Sequence, residues 1–318
     1  MMYVIICDSH IAELYAEEIQ KGMGFDPSKI SLLVISPGEE SKSFKTFETL
    51  TLELKRLGCG RDVTLIALGG GVILDLTGFL ASTYCRGVKW IAIPTTLLAM
   101  IDASIGGKTG INIEGAKNWI GSHYFASQLI INPYFLKTLP PEEWENGIVE
   151  MLKIFLLTCE ETFLQFSQVP FPSLIAKAIE AKRRIVAKDP HEKGERALLN
   201  LGHTIGHALE GLSLYSMSHG KTVGVGIVLE SRLSYFMGLL SKRDLLVIEK
   251  SFPSPHISYS FEELYSQLRL DKKNKQGVPH FVLLQGIGVP YVHEGNYAHP
   301  VPEEILKKVL DDACMRPC

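Results

Sequence analysis

Short apolar runs alternate with amphipathic stretches along the first part of the chain. The runs YVIIC, ISLLVIS and VTLIAL are continuously apolar, and IAELYAEEI and FKTFETLTLELKRL separate them with helical spacing. Continuous apolarity is typical of strands buried on both faces, so this order predicts a β-α-β-α-β arrangement with a parallel sheet. A helix over VILDLTGFLASTYCRG and a strand over VKWIAIP, closed by Pro94, continue the pattern.

The pattern becomes helical beyond Pro140 and Pro141. Helical spacing runs through WENGIVEMLKIFLLTC, SLIAKAIEAKRRIVAKD, RALLNLGHTIGHALEGL and TVGVGIVLESRLSYFMGLL. Only HFVLLQGIGVPYV predicts a short hairpin, and EEILKKVLDDAC predicts a terminal helix. We therefore predict an α/β plus α fold class, with a parallel-sheet domain over residues 1–140 and a helical domain over residues 141–318.

The composition limits the classes of function. The chain has 318 residues, of which 46% are hydrophobic and 21% charged, so it is long enough for two domains. A net charge of −3 and the lack of a basic run argue against nucleic acid as a partner. The sequence has no apolar stretch long enough for a bilayer and no positively charged signal-peptide region at its start, so we expect a cytoplasmic protein with no membrane partner. Six cysteines without CxxC spacing are expected to be reduced thiols.

Three consecutive glycines stand in LGGGVILDL, where a predicted strand leads into a predicted helix. Bare backbone amides at a helix N-terminus suit a phosphate, which would favour a dinucleotide site. The segment matches neither G-x-G-x-x-G nor the P-loop pattern. A tight turn that allows close helix packing is therefore an equal alternative.

A second glycine-rich segment, SIGGKTGINIEGAKN, is predicted to be a loop that places Lys108 and Lys117 among backbone amides. Such a loop would suit an anionic substrate, and a solvated surface loop is the alternative. Just before it, PTTLLAMIDAS carries Asp102 in an apolar neighbourhood. That carboxylate either has a structural partner or contacts a polar ligand.

The helical half contains a group of residues able to ligate a metal. Glu150 and Lys153 are spaced i, i+3 and His203 and His207 i, i+4, and His219 follows in SMSHGKTVG. Because such spacings bring side chains to one helix face, two histidines and a carboxylate could hold a zinc ion with an open position. The HTIGH stretch lacks the glutamate of H-E-x-x-H, which disfavours a metalloprotease. Histidines satisfied within a core are the alternative.

Taken in this order, the motifs resemble the 3-dehydroquinate synthase family of sugar-phosphate cyclases. The resemblance runs from PGEESKS at Pro37 to DKK at Asp271. It rests on the joint order of LGGGVILDLTGFLASTYCRG, PTTLLAMIDASIGGKTGINIEGAKNWIG, LPPEEWENGIVEMLK, RALLNLGHTIGHALE and SHGKTV. It implies a Rossmann-like domain that holds NAD, a helical domain that holds zinc or cobalt, and a homodimer.

The resemblance also implies roles for individual residues. The implied metal ligands are Glu150, His203 and His219, so His207 becomes a catalytic residue instead, together with Lys108, Lys153, Asn118 and Arg196. The implied substrate contacts are Asp102, Lys117, Lys182, Asn200, Lys272 and Lys273, with Arg86 reaching across the dimer interface. The implied NAD contacts are Glu39, Lys42, Gly70, Gly71, Val72, Asp75, Thr95, Thr96 and Thr138.

The chemistry implied by the resemblance is conversion of 3-deoxy-D-arabino-heptulosonate 7-phosphate to 3-dehydroquinate and phosphate, a step of the shikimate pathway. A transient oxidation by NAD acidifies the neighbouring proton, phosphate leaves by elimination, and reduction and an intramolecular aldol step follow. The metal is expected to act as a Lewis acid on the substrate hydroxyls. The family is thought to use the substrate's own phosphate as the base.

Three positions depart from the family pattern, namely His10, Glu142 and Arg183, and none is a metal ligand. The nearest alternatives are other cyclases, such as 2-epi-5-epi-valiolone synthase or 2-deoxy-scyllo-inosose synthase. The set of Lys182, Arg196, Asn200 and the DKK lysines argues against them. A glycerol dehydrogenase type of enzyme and a catalytically silent relative are further alternatives.

Overall fold

A computed structural model of the protein describes residues 2–22, 24, 26–114, 116–214, 216–270 and 278–315. The chain divides into two compact units, Met1–Glu143 and Trp144–Cys318. Among the described residues, no helix combines the length and apolar character needed to cross a membrane.

The strands are short and concentrate in the first unit. They are β1 (Tyr3–Asp8), β2 (Ile30–Ile35), β3 (Thr64–Gly69), β4 (Lys89–Pro94), β5 (Lys108–Ile113), β6 (Ala116–His123), β7 (Gln128–Leu129), β8 (His280–Phe281), β9 (Leu284–Gly286), β10 (Val289–Pro290) and β11 (His299–Pro300). The first four and β7 form a sheet of order β2-β1-β3-β4-β7 in which every pairing is parallel. This arrangement confirms the predicted parallel sheet.

The helices dominate the second unit. They are α1 (Ser9–Ile11), α2 (Glu17–Gly22), α3 (Phe44–Arg56), α4 (Gly71–Thr83), α5 (Pro141–Thr158), α6 (Glu160–Leu164), α7 (Phe171–Lys188), α8 (His203–Leu212), α9 (His219–Phe236), α10 (Lys242–Ser251), α11 (Phe261–Leu270) and α12 (Glu303–Met315). A π-helical segment, Ala12–Ala16, joins α1 to α2. The helical character of the second half, the β9–β10 hairpin and the terminal helix are confirmed.

Burial of the strands follows their position in the sheet. In β1 and β3 the central residues are fully buried, among them Val4, Ile6, Leu65 and Ala67. The expectation that ISLLVIS is buried on both faces is wrong, because β2 lies at the edge of the sheet and leaves Val34 48% exposed. Apolarity alone does not separate a central strand from an edge strand.

The segment predicted as a glycine-rich loop is an antiparallel hairpin of β5 and β6, which corrects that expectation. Its glycines allow the two backbones to pair closely. A Cβ atom on Gly121 would lie 2.2 Å from the carbonyl oxygen of Thr109, and one on Gly110 would lie 2.6 Å from that of Ile120. The hairpin thus places Lys108 at the start of β5 and Lys117 near the start of β6.

Close packing of α8 on α9 fixes the geometry of the second unit. A Cβ atom on Gly226 would lie 2.0 Å from the carbonyl oxygen of Gly202, so only glycine fits there. Gly202 itself has φ +78°, a conformation that favours glycine, and it directly precedes α8. As a result His203 and His219, the first residues of the two helices, lie side by side with ring centroids 5.5 Å apart.

Candidate active site

Three side chains from three helices of the second unit form a cluster suited to a metal. Glu150 of α5, His203 of α8 and His219 of α9 have potential ligand atoms that all lie within 4.8 Å of one another. The Nε2 atoms of His203 and His219 lie 3.6 Å and 3.7 Å from Oε1 of Glu150. The Glu150 side chain is only 1% exposed. Two imidazoles and one carboxylate form a donor set that zinc accepts while keeping a fourth position for substrate or water.

The other ring nitrogen of each histidine has its own partner. Nδ1 of His219 lies 2.7 Å from Oε1 of Glu210, and Nδ1 of His203 lies 3.2 Å from the carbonyl oxygen of Leu201. A carboxylate or carbonyl partner at Nδ1 places the proton of a neutral ring there and leaves Nε2 as the ligating atom. Both Nε2 atoms face Glu150, as a shared ion requires.

The charges around this cluster are tightly paired. Nζ of Lys153, a side chain 2% exposed, lies 2.6 Å from Oε2 of Glu150 and donates a 2.7 Å hydrogen bond to the carbonyl oxygen of Leu199. Burial of the His219 ring disfavours its charged form, but the carboxylates of Glu150 and Glu210 outweigh this effect and raise the pKa of His219 to about 9. Without a metal, His219 is therefore a cation at neutral pH.

His207 lies outside the three-residue cluster. Its ring meets that of His203 edge to face with centroids 5.3 Å apart, and its side chain is exposed. The i, i+4 spacing correctly places the two rings side by side on α8. Spacing on one helix could not reveal that the second imidazole of the cluster, His219, begins the next helix.

Two of the candidate residues in the second unit, Arg196 and Asn200, lie in one short helical segment, Glu195–Asn200. Arg196 is 3% exposed, and its guanidinium donates a 2.8 Å hydrogen bond to the carbonyl oxygen of Pro190. Asn200 donates a 2.9 Å hydrogen bond to Glu192, and Lys182 is 5% exposed on α7. The carboxylate of Asp189 accepts hydrogen bonds from the backbone N–H groups of Lys193, Gly194 and Arg196. These hydrogen bonds lower the pKa of Asp189.

In the first unit, the glycine triplet lies where β3 passes into α4. Gly70 is the residue before the helix and has no side chain with which to cap it. A Cβ atom there would lie 3.1 Å from Cγ2 of Thr96, and one on Gly69 would lie 2.6 Å from Cγ1 of Ile73. Nearby, Oγ1 of Thr95 is buried with no hydrogen-bond partner among the described residues. A helix N-terminus left open beside an unsatisfied hydroxyl suits a polar, anionic ligand.

An ion pair between a buried lysine and a half-buried carboxylate lies one helical turn further along. Nζ of Lys42, a residue 4% exposed, lies 2.6 Å from Oδ2 of Asp75 and also donates a hydrogen bond to Oδ1 of Asn118. Burial raises the pKa of Asp75, and the positive charge of Lys42 opposes that rise. Thr138 is exposed, and its hydroxyl lies 2.6 Å from that of Tyr15.

The remaining predicted residues have different surroundings. Glu39 and Lys108 are exposed, Lys117 and Asp102 are half-buried, and Arg86 is exposed with φ +65°. Lys272 and Lys273 lie outside the described residues. The departures from the family pattern, His10, Glu142 and Arg183, are all exposed.

Sequence reasoning missed two residues of these surroundings, Glu210 and Asn112. Glu210 follows His207 by three positions in HTIGHALE, but its partner His219 belongs to another helix. Asn112 stands in KTGINIEG, and its partners Glu39 and Asn118 come from two separate segments. No local pattern gives either contact, because each depends on tertiary packing.

Comparison with protein families covers most of the chain. The family description "3-dehydroquinate synthase N-terminal" matches residues 32–146, and "3-dehydroquinate synthase C-terminal" matches residues 147–274. A 3-dehydroquinate synthase of Chlamydia caviae is 38% identical, over 99% of this chain and 91% of that protein. One from Chlamydia muridarum is 37% identical, over 93% of this chain and 84% of that protein.

Solved structures share the fold over nearly the whole length. A 2-epi-5-epi-valiolone synthase from Streptomyces hygroscopicus, with NAD+ and Zn2+ bound, gives a TM-score of 0.87 at 27% identity over 98% of this chain and 90% of that one. A 2-deoxy-scyllo-inosose synthase gives 0.86 at 24% identity over 98% and 90%, which shows the fold alone. An iron-containing alcohol dehydrogenase from Thermococcus thioreducens gives 0.62 at 16% identity over 98% and 92%, again a likeness of fold.

Proposed function

The chain belongs to the 3-dehydroquinate synthase family, and from this membership we infer how its residues serve that reaction. The reaction converts 3-deoxy-D-arabino-heptulosonate 7-phosphate to 3-dehydroquinate and phosphate, and the enzyme is a carbon–oxygen lyase of the shikimate pathway. The observation that carries the assignment to this structure is the convergence of Glu150, His203 and His219. A catalytically silent relative would not require three potential metal-ligand atoms within 4.8 Å of one another.

We propose that Glu150, His203 and His219 hold a divalent zinc or cobalt ion. The donor set fits, because two neutral imidazole nitrogens and one carboxylate oxygen face a common point and each nitrogen is oriented by a partner on its other side. When bound, such an ion supplies Lewis-acid activation of substrate hydroxyl groups. The valiolone synthase that shares the fold binds Zn2+.

The first unit is proposed to bind NAD at the start of α4. Gly70 and Gly71 leave room for a pyrophosphate, and the amides of Gly71 and Val72 point out of the helix N-terminus. The buried Thr95 hydroxyl, which has no hydrogen-bond partner among the described residues, could bond to the cofactor. Asp75, one turn further along α4, and the buried Lys42 are proposed to contact the cofactor's ribose groups. When bound, NAD supplies the reversible oxidation that the elimination requires.

The cationic residues are proposed to bind the charges of the substrate. Lys153, Lys182 and Arg196 are each at most 5% exposed, so their charges act in surroundings with little water. Arg196 is held by the carbonyl oxygen of Pro190, which fixes the orientation of its planar donor group toward a carboxylate or phosphate. Holding the phosphate near the carbon that loses a proton lets the substrate's own phosphate act as the base.

A related sugar-phosphate cyclase is the second candidate. It is favoured by the structural likeness to the valiolone synthase, which is 27% identical. The 3-dehydroquinate synthases are 37% and 38% identical over most of the chain, and this difference favours the first assignment. The homodimer, the contact of Arg86 across its interface and a cytoplasmic location remain predictions from the sequence.

The experiment that tests the function is release of phosphate by zinc-loaded protein with trace NAD. We expect release from 3-deoxy-D-arabino-heptulosonate 7-phosphate, none from sedoheptulose 7-phosphate or glucose 6-phosphate, and no net NADH. Glu150→Ala should abolish both the release and tight zinc binding. Release only from another sugar phosphate would assign the chain to a different cyclase, and release from none would support a silent relative.

A further inference from the structure

Asn112, near the turn of the β5–β6 hairpin, joins two segments that are separate in the sequence. Its Nδ2 donates a 2.8 Å hydrogen bond to Oε1 of Glu39, and its Oδ1 accepts a 2.8 Å hydrogen bond from the backbone N–H of Asn118. Its own backbone N–H donates to the carbonyl oxygen of Lys42 at 2.8 Å. Both ends of the side-chain amide are therefore in use, and its orientation is fixed by its partners.

The residue that Asn112 holds on the hairpin side has an unusual backbone. Asn118 has φ +52°, a left-handed conformation that asparagine tolerates and that costs free energy unless neighbours fix it. Asn112 fixes the backbone N–H of Asn118, and Lys42 donates to its side-chain Oδ1. Lys42 in turn pairs with Asp75 at 2.6 Å. Glu39, Lys42 and Asp75 on one side and Asn118 on the other thus form one connected polar network.

We propose that Asn112 is a positioning residue that holds the cofactor-binding segment around Glu39 and Lys42 in register with the substrate-binding hairpin residue Asn118. This inference rests on the proposed function, which places Glu39 and Lys42 against NAD and Asn118 against the substrate. Holding them in one arrangement before ligands arrive reduces the ordering cost of binding. Loss of the Asn112 amide therefore weakens the binding of both NAD and substrate, although Asn112 itself contacts neither ligand.

The chemistry of the side chain makes the proposal specific. The site needs a donor toward Glu39 and an acceptor toward Asn118, and the amide of asparagine supplies these on two separate atoms, Nδ2 and Oδ1. Asn112→Ala removes both contacts. Asn112→Asp keeps the acceptor for Asn118 but sets a second carboxylate against that of Glu39, so it breaks one contact and keeps the other.

The first experiment compares wild type with Asn112→Ala. We expect the Kd for NAD, measured by calorimetry, and the KM for the heptulosonate phosphate each to rise about three- to tenfold, the value of one or two lost hydrogen bonds. Amide hydrogen exchange at 116–123 should accelerate in the ligand-free protein. Zinc affinity should not change, because the ligands lie in the other compact unit.

The matched control is Ser241→Ala, which removes another side-chain acceptor of a backbone N–H, that of Asp244 at 3.1 Å. Ser241→Ala should lower the free energy of unfolding by about as much as Asn112→Ala does. It should leave the Kd for NAD unchanged. A purely structural role for Asn112 would make the two variants behave alike.

The second experiment is a double-mutant cycle with Glu39→Gln. In the Asn112→Asp/Glu39→Gln double variant the carboxylate and the amide have exchanged places, so the hydrogen bond forms again with its polarity reversed. We expect Asn112→Asp to raise the Kd for NAD about three- to tenfold when residue 39 is Glu, and less than about twofold when it is Gln.

Equal effects of Asn112→Asp in both backgrounds would overturn the contact with Glu39, and unchanged hydrogen exchange in Asn112→Ala would overturn the contact with Asn118. Wild-type protein that binds NAD and releases phosphate while Asn112→Ala binds and reacts normally would overturn this inference alone. Wild-type protein that does neither would overturn the proposed function and the inference together.

Discussion

Nδ1 of His219 and Oε1 of Glu210 lie 2.7 Å apart, which links a proposed metal ligand to a carboxylate that is itself buried. Glu210 also accepts from the hydroxyl of Thr222 at 3.3 Å, so its position is fixed from two sides. This contact commits one ring nitrogen of His219 and leaves Nε2 to face Glu150. A carboxylate behind a ligating histidine orients the ring and raises its basicity toward the metal.

Removing this carboxylate should weaken metal binding. We expect Glu210→Ala to lower zinc affinity roughly 10- to 100-fold and Glu210→Gln by less, because the glutamine oxygen can still accept a hydrogen bond from Nδ1–H of His219 but carries no charge. The measurement is competition for zinc with a chelator of known affinity. The d–d absorption of the cobalt-loaded protein should shift in both variants, since the geometry at the ion changes.

The control is Thr222→Val, which removes the hydroxyl but leaves the contact between His219 and Glu210. Its zinc affinity should stay within about threefold of wild type. If Glu210→Ala binds zinc as tightly as wild type, then Glu210 does not orient His219.

The same contact predicts how the metal-free protein responds to pH. The pKa of His219 in the folded protein, about 9, lies above the 6.5 of an ordinary histidine. The protonated ring therefore stabilises the fold fully below pH 6.5, and this contribution is lost as the pH rises through 9. We expect the free energy of unfolding of chelator-treated protein, measured with urea, to fall from pH 6.5 to 9.

Zinc should show the opposite dependence, because it competes with the proton for His219. The rise in Tm on adding zinc is expected to grow as the pH approaches 9. Glu210→Gln, which lacks one of the two carboxylates that raise the pKa, should flatten both trends. If both pH trends have the same slope in Glu210→Gln as in wild type, then Glu210 does not raise the pKa of His219.

A third prediction concerns Lys153, whose charge lies 2.6 Å from Glu150 in a nearly dry environment. Lys153→Met leaves the buried carboxylate without its nearest cation, and we expect metal-free protein to lose about 3 kcal/mol of unfolding free energy. The loss should be smaller in zinc-loaded protein, since the ion neutralises Glu150 instead. Urea unfolding with and without zinc measures the difference.

Lys177→Met is the control, because Lys177 is an exposed lysine of α7 whose one hydrogen bond within the described part of the chain goes to the hydroxyl of Thr162 at 3.3 Å. It should change stability by no more than about 0.5 kcal/mol, with or without zinc. A loss in Lys153→Met that zinc does not reduce would separate this lysine from the metal cluster.

The parts of the molecule that could be predicted are those set by local patterns. The continuous apolarity of YVIIC and VTLIAL predicted two central strands, and helical spacing predicted α3, α5 and α12. The hairpin of β5 and β6 was missed because its glycines resemble those of a loop, although they serve close pairing of two strands. A local sequence pattern therefore predicted an element correctly where interactions between neighbouring residues determine that element. It failed for the hairpin, where pairing between two strands determines the structure.

The site shows the same division. Motif order brought Glu150, His203 and His219 into one hypothesis, whereas the spacing of histidines alone had pointed to His203 and His207. Contacts such as those of Glu210 and Asn112 depend on how helices and hairpins pack, and no period in the sequence records them. Tertiary packing decides which polar side chains meet.

The glycine triplet allows a last prediction, which separates tight packing from ligand binding. A Cβ atom on Gly69 would lie 2.6 Å from the buried side chain of Ile73, whereas one on Gly71 would meet only Cβ of Ala103 at 3.8 Å. Gly69→Ala should therefore destabilise the fold by about 1–3 kcal/mol through overpacking. Gly71→Ala should leave Tm unchanged, because alanine fits there and suits a helix.

The effect of Gly71→Ala should fall on the cofactor instead. Its methyl group would fill the space against which we place the pyrophosphate, and we expect the Kd for NAD, measured by calorimetry, to rise about tenfold. An unchanged Kd would mean that the triplet serves only the packing of α4 on β3. A raised Kd at unchanged Tm would mean that the first and third glycines of the triplet have different roles, Gly69 in packing and Gly71 in clearing the backbone for a phosphate.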